Sequence, residues 1–487
     1  MLGTKVTTSS HYPHVPAYIQ PFPSSLPPED VEYLIMKGVF DLPDVRLRNE
    51  LLVTFVRNVY PYLPLLDLRV FLKAIEDDGK SSRVSLLLFH AVMFSSAAFI
   101  DPTNRHILKK ESRQAFYEKA KMLYNFDTET DPIVLIQTTL LLTYWYEAPD
   151  DPKDARYWLE IGISIATSIG LHCEPDPELP PTLQYLRKRL WWCLYTRDRL
   201  VSFTLRQAPI IGIEAEDTIP LPVMEDFPFF DLSHSGGVRV RQSAQYQRQC
   251  ARIFIQKSKL CIIVSQIIGL ARAKSPSARS ESADICDMQL DSWYESLPMD
   301  VKYCPPTSLD VSEAAKSLLA YQAWLQILFL AAKSLLGRIN PSSNARIDLQ
   351  GTSPPSSQNF ADTRIQHTTQ AITSIAESLD STDSIQCLPT TAVALLLPVI
   401  KVHILNIRSG HSDRWMAGFR SFHCCLNVLG KLGKTYMIAE SVAQFLKLTI
   451  TGNNSLGCEA VDIRSKTPRL FAEVLTQTEL CMLFTIK

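Results

Sequence analysis

Apolar residues recur at helical spacing along most of this chain, and clean alternation of β-branched residues is nearly absent. That pairing constrains the fold more than any other feature. A helix buries a stripe at i, i+3 and i+4, whereas a half-buried strand alternates at every second residue. Leu51, Leu52, Phe55, Val56 and Val59 form one such stripe. Leu86 to Phe99 is apolar and carries the small residues Ala91, Ser95, Ser96, Ala97 and Ala98, which suits close helix packing. The runs nearest to strands, Val238-Arg239-Val240 and Lys447 to Thr451, are short. The expected class is all-α: packed antiparallel helix pairs, with no substantial sheet.

Punctuation along the chain gives its organisation. Residues 1–30 are rich in Pro, Ser and Tyr and read as an extended arm over the surface or a linker. Pro28-Glu29-Asp30 places acids in a first helical turn, and Gly38 ends that short helix. Ile133 to Tyr146 and Tyr157 to Leu171 read as a helix pair joined across Ala148 to Pro152, with Gly170 as a C-terminal cap. Asn340 to Phe360 is Pro/Ser/Asn/Gln-rich and reads as a flexible linker or long surface loop. Helical patterning resumes at Arg364 and runs to about Leu446; 451–466 look irregular, and a last amphipathic helix is expected from Pro468 to Phe484. The divisions are an arm (1–30), a helical region (31–225), its continuation (226–340), a linker (341–360) and a C-terminal helical subdomain (361–487).

Several function classes recede on composition. Lys+Arg is 49 and Asp+Glu is 50, so no global charge draws the chain to nucleic acid. The 11 cysteines include no C-x-x-C pair and form no disulfide framework, which fits a reducing compartment. The first 20 residues lack the apolar core of a secretory signal. The most apolar stretch, Leu318 to Ala332, is interrupted by Gln322 and Gln326 and is too short to span a bilayer, so no membrane partner is expected.

Chemistry-bearing motifs are sparse. No catalytic, cofactor-binding or metal-ligating residue is assigned. His11 and His14 sit in the arm; His423-Cys424-Cys425 sits in a helical pattern where adjacent cysteines point to different faces. Asp150-Asp151-Pro152-Lys153-Asp154 matches the D-D-x-x-D pattern by which all-α terpenoid synthases hold Mg²⁺-diphosphate. Pro149 and Pro152 place it in a loop, whereas shared metal binding needs acids projecting from one helix face. An all-α Mg²⁺-dependent enzyme is therefore only the weaker alternative.

The densest feature is the run Leu186-Arg187-Lys188-Arg189-Leu190-Trp191-Trp192-Cys193-Leu194-Tyr195-Thr196-Arg197-Asp198-Arg199. It is followed by Arg206-Gln207-Ala208-Pro209 and by Ile219-Pro220-Leu221-Pro222. Asp198 falls on the apolar stripe with Leu194 and Trp191, so it should be ion-paired, with Arg197 and Arg199 flanking it. Arg187-Lys188-Arg189 reads as the polar face at the start of a helix. The tryptophans and Tyr195 read as core.

This run resembles the signature helix of the fungal-specific transcription factor domain, the middle homology region of zinc binuclear-cluster regulators. Other blocks match in order: Pro16 to Tyr33; Tyr60 to Asp67 with Pro61 and Pro64; Leu86 to Phe94; Val134 to Leu142; Tyr157 to Ala166 followed by Gly170 and His172. The signature residues are Pro61, Pro64, Gly170, His172, Arg189, Trp191, Trp192, Tyr195, Asp198, Arg199 and Pro209. The early blocks look most like the cutinase transcription factor branch, and the resemblance covers roughly residues 15–225. It implies a transcription-regulating helical module in a fungal nucleus, working by inhibition, dimerisation or response to a small-molecule effector. Implied partners are homo- or heterodimers with related regulators and the transcription machinery. DNA is contacted only through a missing or partner-supplied domain.

Two departures stand out. Leu205 occupies the place of a common family glycine before the Arg-x-x-Pro turn. The family's DNA-binding part holds two zinc ions on six cysteines near the N-terminus, and here no cysteine precedes Cys173. Two explanations follow: a regulator whose cluster is missing by truncation, or a cluster-less homologue acting through protein partners.

Overall fold

A computed structural model describes residues 15–23, 25–100, 112–145, 153–212, 219–230, 242–273, 276–306, 311–340, 357–408 and 412–451. Those residues form fifteen α-helices: α1 Pro28–Met36, α2 Val45–Thr54, α3 Leu68–Glu76, α4 Leu86–Ala97, α5 Ser112–Asn125, α6 Pro132–Leu142, α7 Ala155–Ser168, α8 Pro181–Leu205, α9 Ala244–Arg272, α10 Pro276–Glu295, α11 Glu313–Ile339, α12 Ser357–Ser381, α13 Thr391–Arg408, α14 Ser412–Leu432 and α15 Met437–Thr451. The β structure among the described residues is an isolated parallel bridge, Ile19 with Val84. The all-α reading holds.

Local sequence explains the helix starts. Asp44, Asp67, Asp131 and Asp154 each accept a backbone N–H of the first turn at 2.8–3.1 Å, and Ser243 does so at 3.2 Å. Each such cap contributes about 1 kcal/mol. A π-helical turn, Phe55–Val59, continues α2, with Tyr60 N donating to Phe55 O at 2.9 Å; Pro61, lacking an N–H, follows. Gly38 and Gly170 both lie at φ +65° just beyond helix ends, as their positions in the sequence predict.

A single apolar cluster runs from Tyr18 to Leu446. All twelve residues of α4 are buried, and most of α11 is too. By length and composition α9 and α11 could cross a membrane; their apolar windows are 61% and 67% buried inside the fold, which accounts for their apolarity. Either side of 341–356, α11 and α12 pack along each other. Asp287 of α10 ties them by accepting from Lys333 at 2.8 Å and from Arg364.

Three expectations need correction. Residues 15–22 do not merely lie over the surface: Tyr18 and Ile19 are buried, and Gln20 N and Val84 N exchange hydrogen bonds with Val84 O and Tyr18 O. A Cβ at Gly79 would meet Ala17 O at 2.3 Å, so a glycine is what lets this segment approach. The helical run does not stop near Leu446: α15 continues through Lys447 to Thr451. Helix resumes at Ser357, before Arg364. The predicted 468–484 helix, the Val238–Val240 run, His11 and His14 lie outside the described residues.

Candidate functional site

Helix α8 is the axis on which separate stretches of chain are strapped. Its 25 residues begin with Pro181, and from Arg189 to Ser202 every side chain is buried. A helix buried all round must satisfy its polar groups internally. It does so largely through cations aimed at main-chain carbonyls.

Arg189, 2% exposed, donates from Nε to Pro64 O at 3.1 Å, from one terminal nitrogen to Leu66 O at 3.3 Å and from the other to Asp226 O. It therefore joins the Pro61-to-Asp67 segment to the turn Met224–Asp226. Lys188 adds an ion pair to Asp226 at 2.8 Å, while the same carboxylate accepts Val223 N at 2.7 Å. Arg187 donates to Ile169 O at 2.9 Å. The Arg187-to-Arg189 run is thus not a solvated polar face. Each cation finds a carbonyl or carboxylate on a neighbouring segment.

Asp198 does the same work with opposite charge. It is fully buried and pairs with Arg199 at 2.6 Å, as the stripe position requires. Its two oxygens also accept Ile210 N at 3.0 and 3.1 Å and Ile211 N at 3.0 Å, so the carboxylate folds the exit loop back on the helix. Arg199 extends the clasp by donating to Ile211 O at 3.0 Å and stacking 4.2 Å over the Tyr195 ring. Burial pushes the Asp198 carboxyl above its usual range, against the pull of the Ile210 and Ile211 N–H groups and Arg199. Arg197 is not part of this pair; it donates to Thr143 Oγ1 at 2.9 Å and Thr143 O at 2.8 Å.

The other signature residues surround the same axis. Trp192 Nε1 donates to Pro220 O at 3.1 Å, fixing the Pro-rich exit. Trp191 packs 6.1 Å from the His172 ring, just after the turn at Gly170. Pro209 has no N–H, and the next two N–H groups go to Asp198. Leu205 is still helical; the left-handed residue is Arg206, at φ +54°.

Two clefts open around this framework. One is walled by Tyr60, Pro61, Pro64 and Phe227 with Phe229 and Phe230. The other lies between the end of α8 and α11, α12 and α13, with Phe203, Leu335, Ile372 and Val399 as apolar walls and Arg206 and Arg338 among its lining. Sequence patterning marked neither, since their walls come from segments far apart in the chain.

No group of three or more His, Cys, Asp or Glu side chains able to hold a metal occurs among the described residues. His423 is exposed and Cys425 buried on α14, pointing apart. Among the described residues no set of cysteines offers the ligands of a binuclear zinc cluster. Asp154 spends its carboxylate on Tyr157 N as a helix cap, and Asp150 and Asp151 lie outside the described residues.

Residues 52–295 match the fungal specific transcription factor domain, with the clamp on α8 inside that span. The chain belongs to this family. It is 31% identical over 497 aligned residues to "Cutinase transcription factor 1 beta" of Fusarium vanettenii, covering 94% of this chain and 56% of that protein. It is 29% identical to "Transcription factor cpaR" of Aspergillus oryzae, covering 89% and 76% respectively. "Cutinase transcription factor 1 alpha" of Fusarium vanettenii matches at 24%, covering 92% and 47%. The chain spans little more than half the length of the first of these relatives. The likeness also runs well past Asp226, further than motif blocks alone reveal.

Proposed function

We propose that this chain is the regulatory module of a fungal transcription regulator. The observation that carries the reading is the α8 clamp. Arg189, Asp198 and Arg199 hold three stretches of chain on one buried helix, within a span that matches the family. A module of this kind controls an attached or partnered DNA-binding part by favouring one of two packings. The near-neutral charge supports DNA contact through another domain or a related partner rather than through this surface. Homo- or heterodimers with related regulators, the transcription machinery and a nuclear site of action belong to the same reading. A small effector with an apolar body has its best seat in the cleft at the end of α8, whose walls come from both halves of the chain.

The test is to tether the chain to an unrelated DNA-binding domain in a fungal cell and read a reporter. Altered transcription that Asp198→Ala abolishes, without specific DNA binding by the chain alone in a gel-shift assay, is the expected result. No effect of the tethered chain on the reporter, in either direction, refutes the proposal.

A further inference from the structure

Helix α14 carries a row of rings on its solvent side. Trp415, Phe419 and His423 stand four residues apart, so they line up along one strip of the helix. Trp415 and Phe419 stack with centroids 5.3 Å apart, and the His423 ring meets Phe419 edge-on at 4.4 Å. The strip faces outward: Trp415 is 41% exposed, Phe419 40% and, beside them, Met416 56%. The helix is already anchored by its other side, where Phe422, Cys425 and Leu429 are buried. Stacked aromatic surface left in water on an anchored helix is a docking place for another apolar face.

The path of the chain brings such a face to it. After the short turn 433–436, where Glu440 lies against Gly433, α15 packs back along α14. Its 15 residues return the chain, at Thr451, to about the level of the ring strip. Gly452 to Thr467, outside the described residues, are mostly small or polar. They are long enough to span roughly 50 Å at full extension, whereas the strip from Trp415 to His423 is only about 12 Å long. Thr467-Pro468 is then a helix-start signal, and Phe471, Val474, Leu475, Thr478, Cys481 and Met482 fall at the spacing of one helical face. Charge agrees with this pairing. Arg420 is exposed one turn on from Met416, at the edge of the strip. From 470 to 486 the charged residues are Glu473 and Glu479, and both border the apolar face.

We propose that the segment 468–484 of this same chain docks as a helix across Trp415, Phe419 and His423. Phe471, Val474 and Leu475 lie against the rings, and the segment's carboxylates face Arg420. A tethered partner needs little affinity of its own, because a short linker holds it at an effective concentration of about millimolar. While it is docked, the ring strip is closed to other proteins. The inference stands apart from the transcriptional reading, because it concerns only which surfaces of the chain meet.

The test places a photo-reactive benzoylphenylalanine at Phe419 in the full chain and maps the cross-links by mass spectrometry. The expected products join position 419 to residues 468–484 of the same chain, in a yield unchanged by dilution. Val474→Glu combined with Leu475→Glu should lower that yield roughly tenfold, since docking then buries two carboxylates against apolar rings. The same probe at Met416 repeats the measurement without disturbing the ring stack, should the Phe419 variant fail to fold. Cross-links to a second copy, which fall away on dilution, overturn the proposal. So do cross-links confined to other parts of the chain, an absence of cross-links, or a yield that the double glutamate variant leaves unchanged.

Discussion

Asp198 is where the structure concentrates most on a single side chain, and Asp198→Ala tests the clamp directly. The carboxylate is fully buried, neutralises Arg199 and accepts the N–H groups of Ile210 and Ile211. Removing one partner of a buried ion pair costs about 3–5 kcal/mol, because the remaining charge is stranded. Each buried N–H left without an acceptor costs roughly 1–3 kcal/mol more, although the terms overlap. A net loss of about 4–6 kcal/mol is expected, a large part of the 5–15 kcal/mol typical of a domain. Asp198→Asn keeps the shape and one good acceptor and should lose about half as much. Adding Arg199→Met to Asp198→Asn removes the stranded cation, so the double variant should cost at least about 1 kcal/mol less than the sum of the singles. The assay is urea unfolding followed by tryptophan fluorescence, since Trp191 and Trp192 lie on the same helix. A cost below 1 kcal/mol for Asp198→Ala, or no coupling to Arg199, refutes the clamp.

Other outcomes follow from the same geometry. Arg206 is in a left-handed conformation that costs a residue with a Cβ about 1 kcal/mol, so Arg206→Gly should raise stability by roughly 0.5–1 kcal/mol in the same unfolding assay. Arg189→Met strands three buried carbonyls and should cost about 3 kcal/mol, with faster proteolysis near Pro61 to Asp67 as the local readout. Burial brings Lys257 down to about 8 in the fold, against near 10.5 when unfolded, so between those values the unfolded chain binds more protons. Its contribution to stability should rise with pH across that window, read as the difference in unfolding free energy between wild type and Lys257→Met.

The sequence exposes the axis but not what the axis holds. Asp198 is recognisable as a paired buried acid because its stripe neighbours, Leu194 and Trp191, are apolar. Arg189 looks like the polar face of a helix, because its partners are carbonyls of Pro64 and Leu66, some 125 residues away, and of Asp226. A main-chain carbonyl has no letter of its own, so a cation satisfied by carbonyls leaves only half of its interaction in the sequence. Lys257 is hidden for the same reason, since its acceptor is Tyr62 O. The C-terminal half conceals its ancestry by a different route. Helical cores tolerate volume-conserving apolar exchanges. Apolar periodicity from α9 onward therefore declares helix without declaring family to the eye, although the family match reaches residue 295. The alignment with the cutinase regulator over 94% of the chain recovers what that pattern withholds. The most informative positions are then the few where an apolar exchange is not neutral: a charge inside the core whose partner is fixed by the path of the backbone.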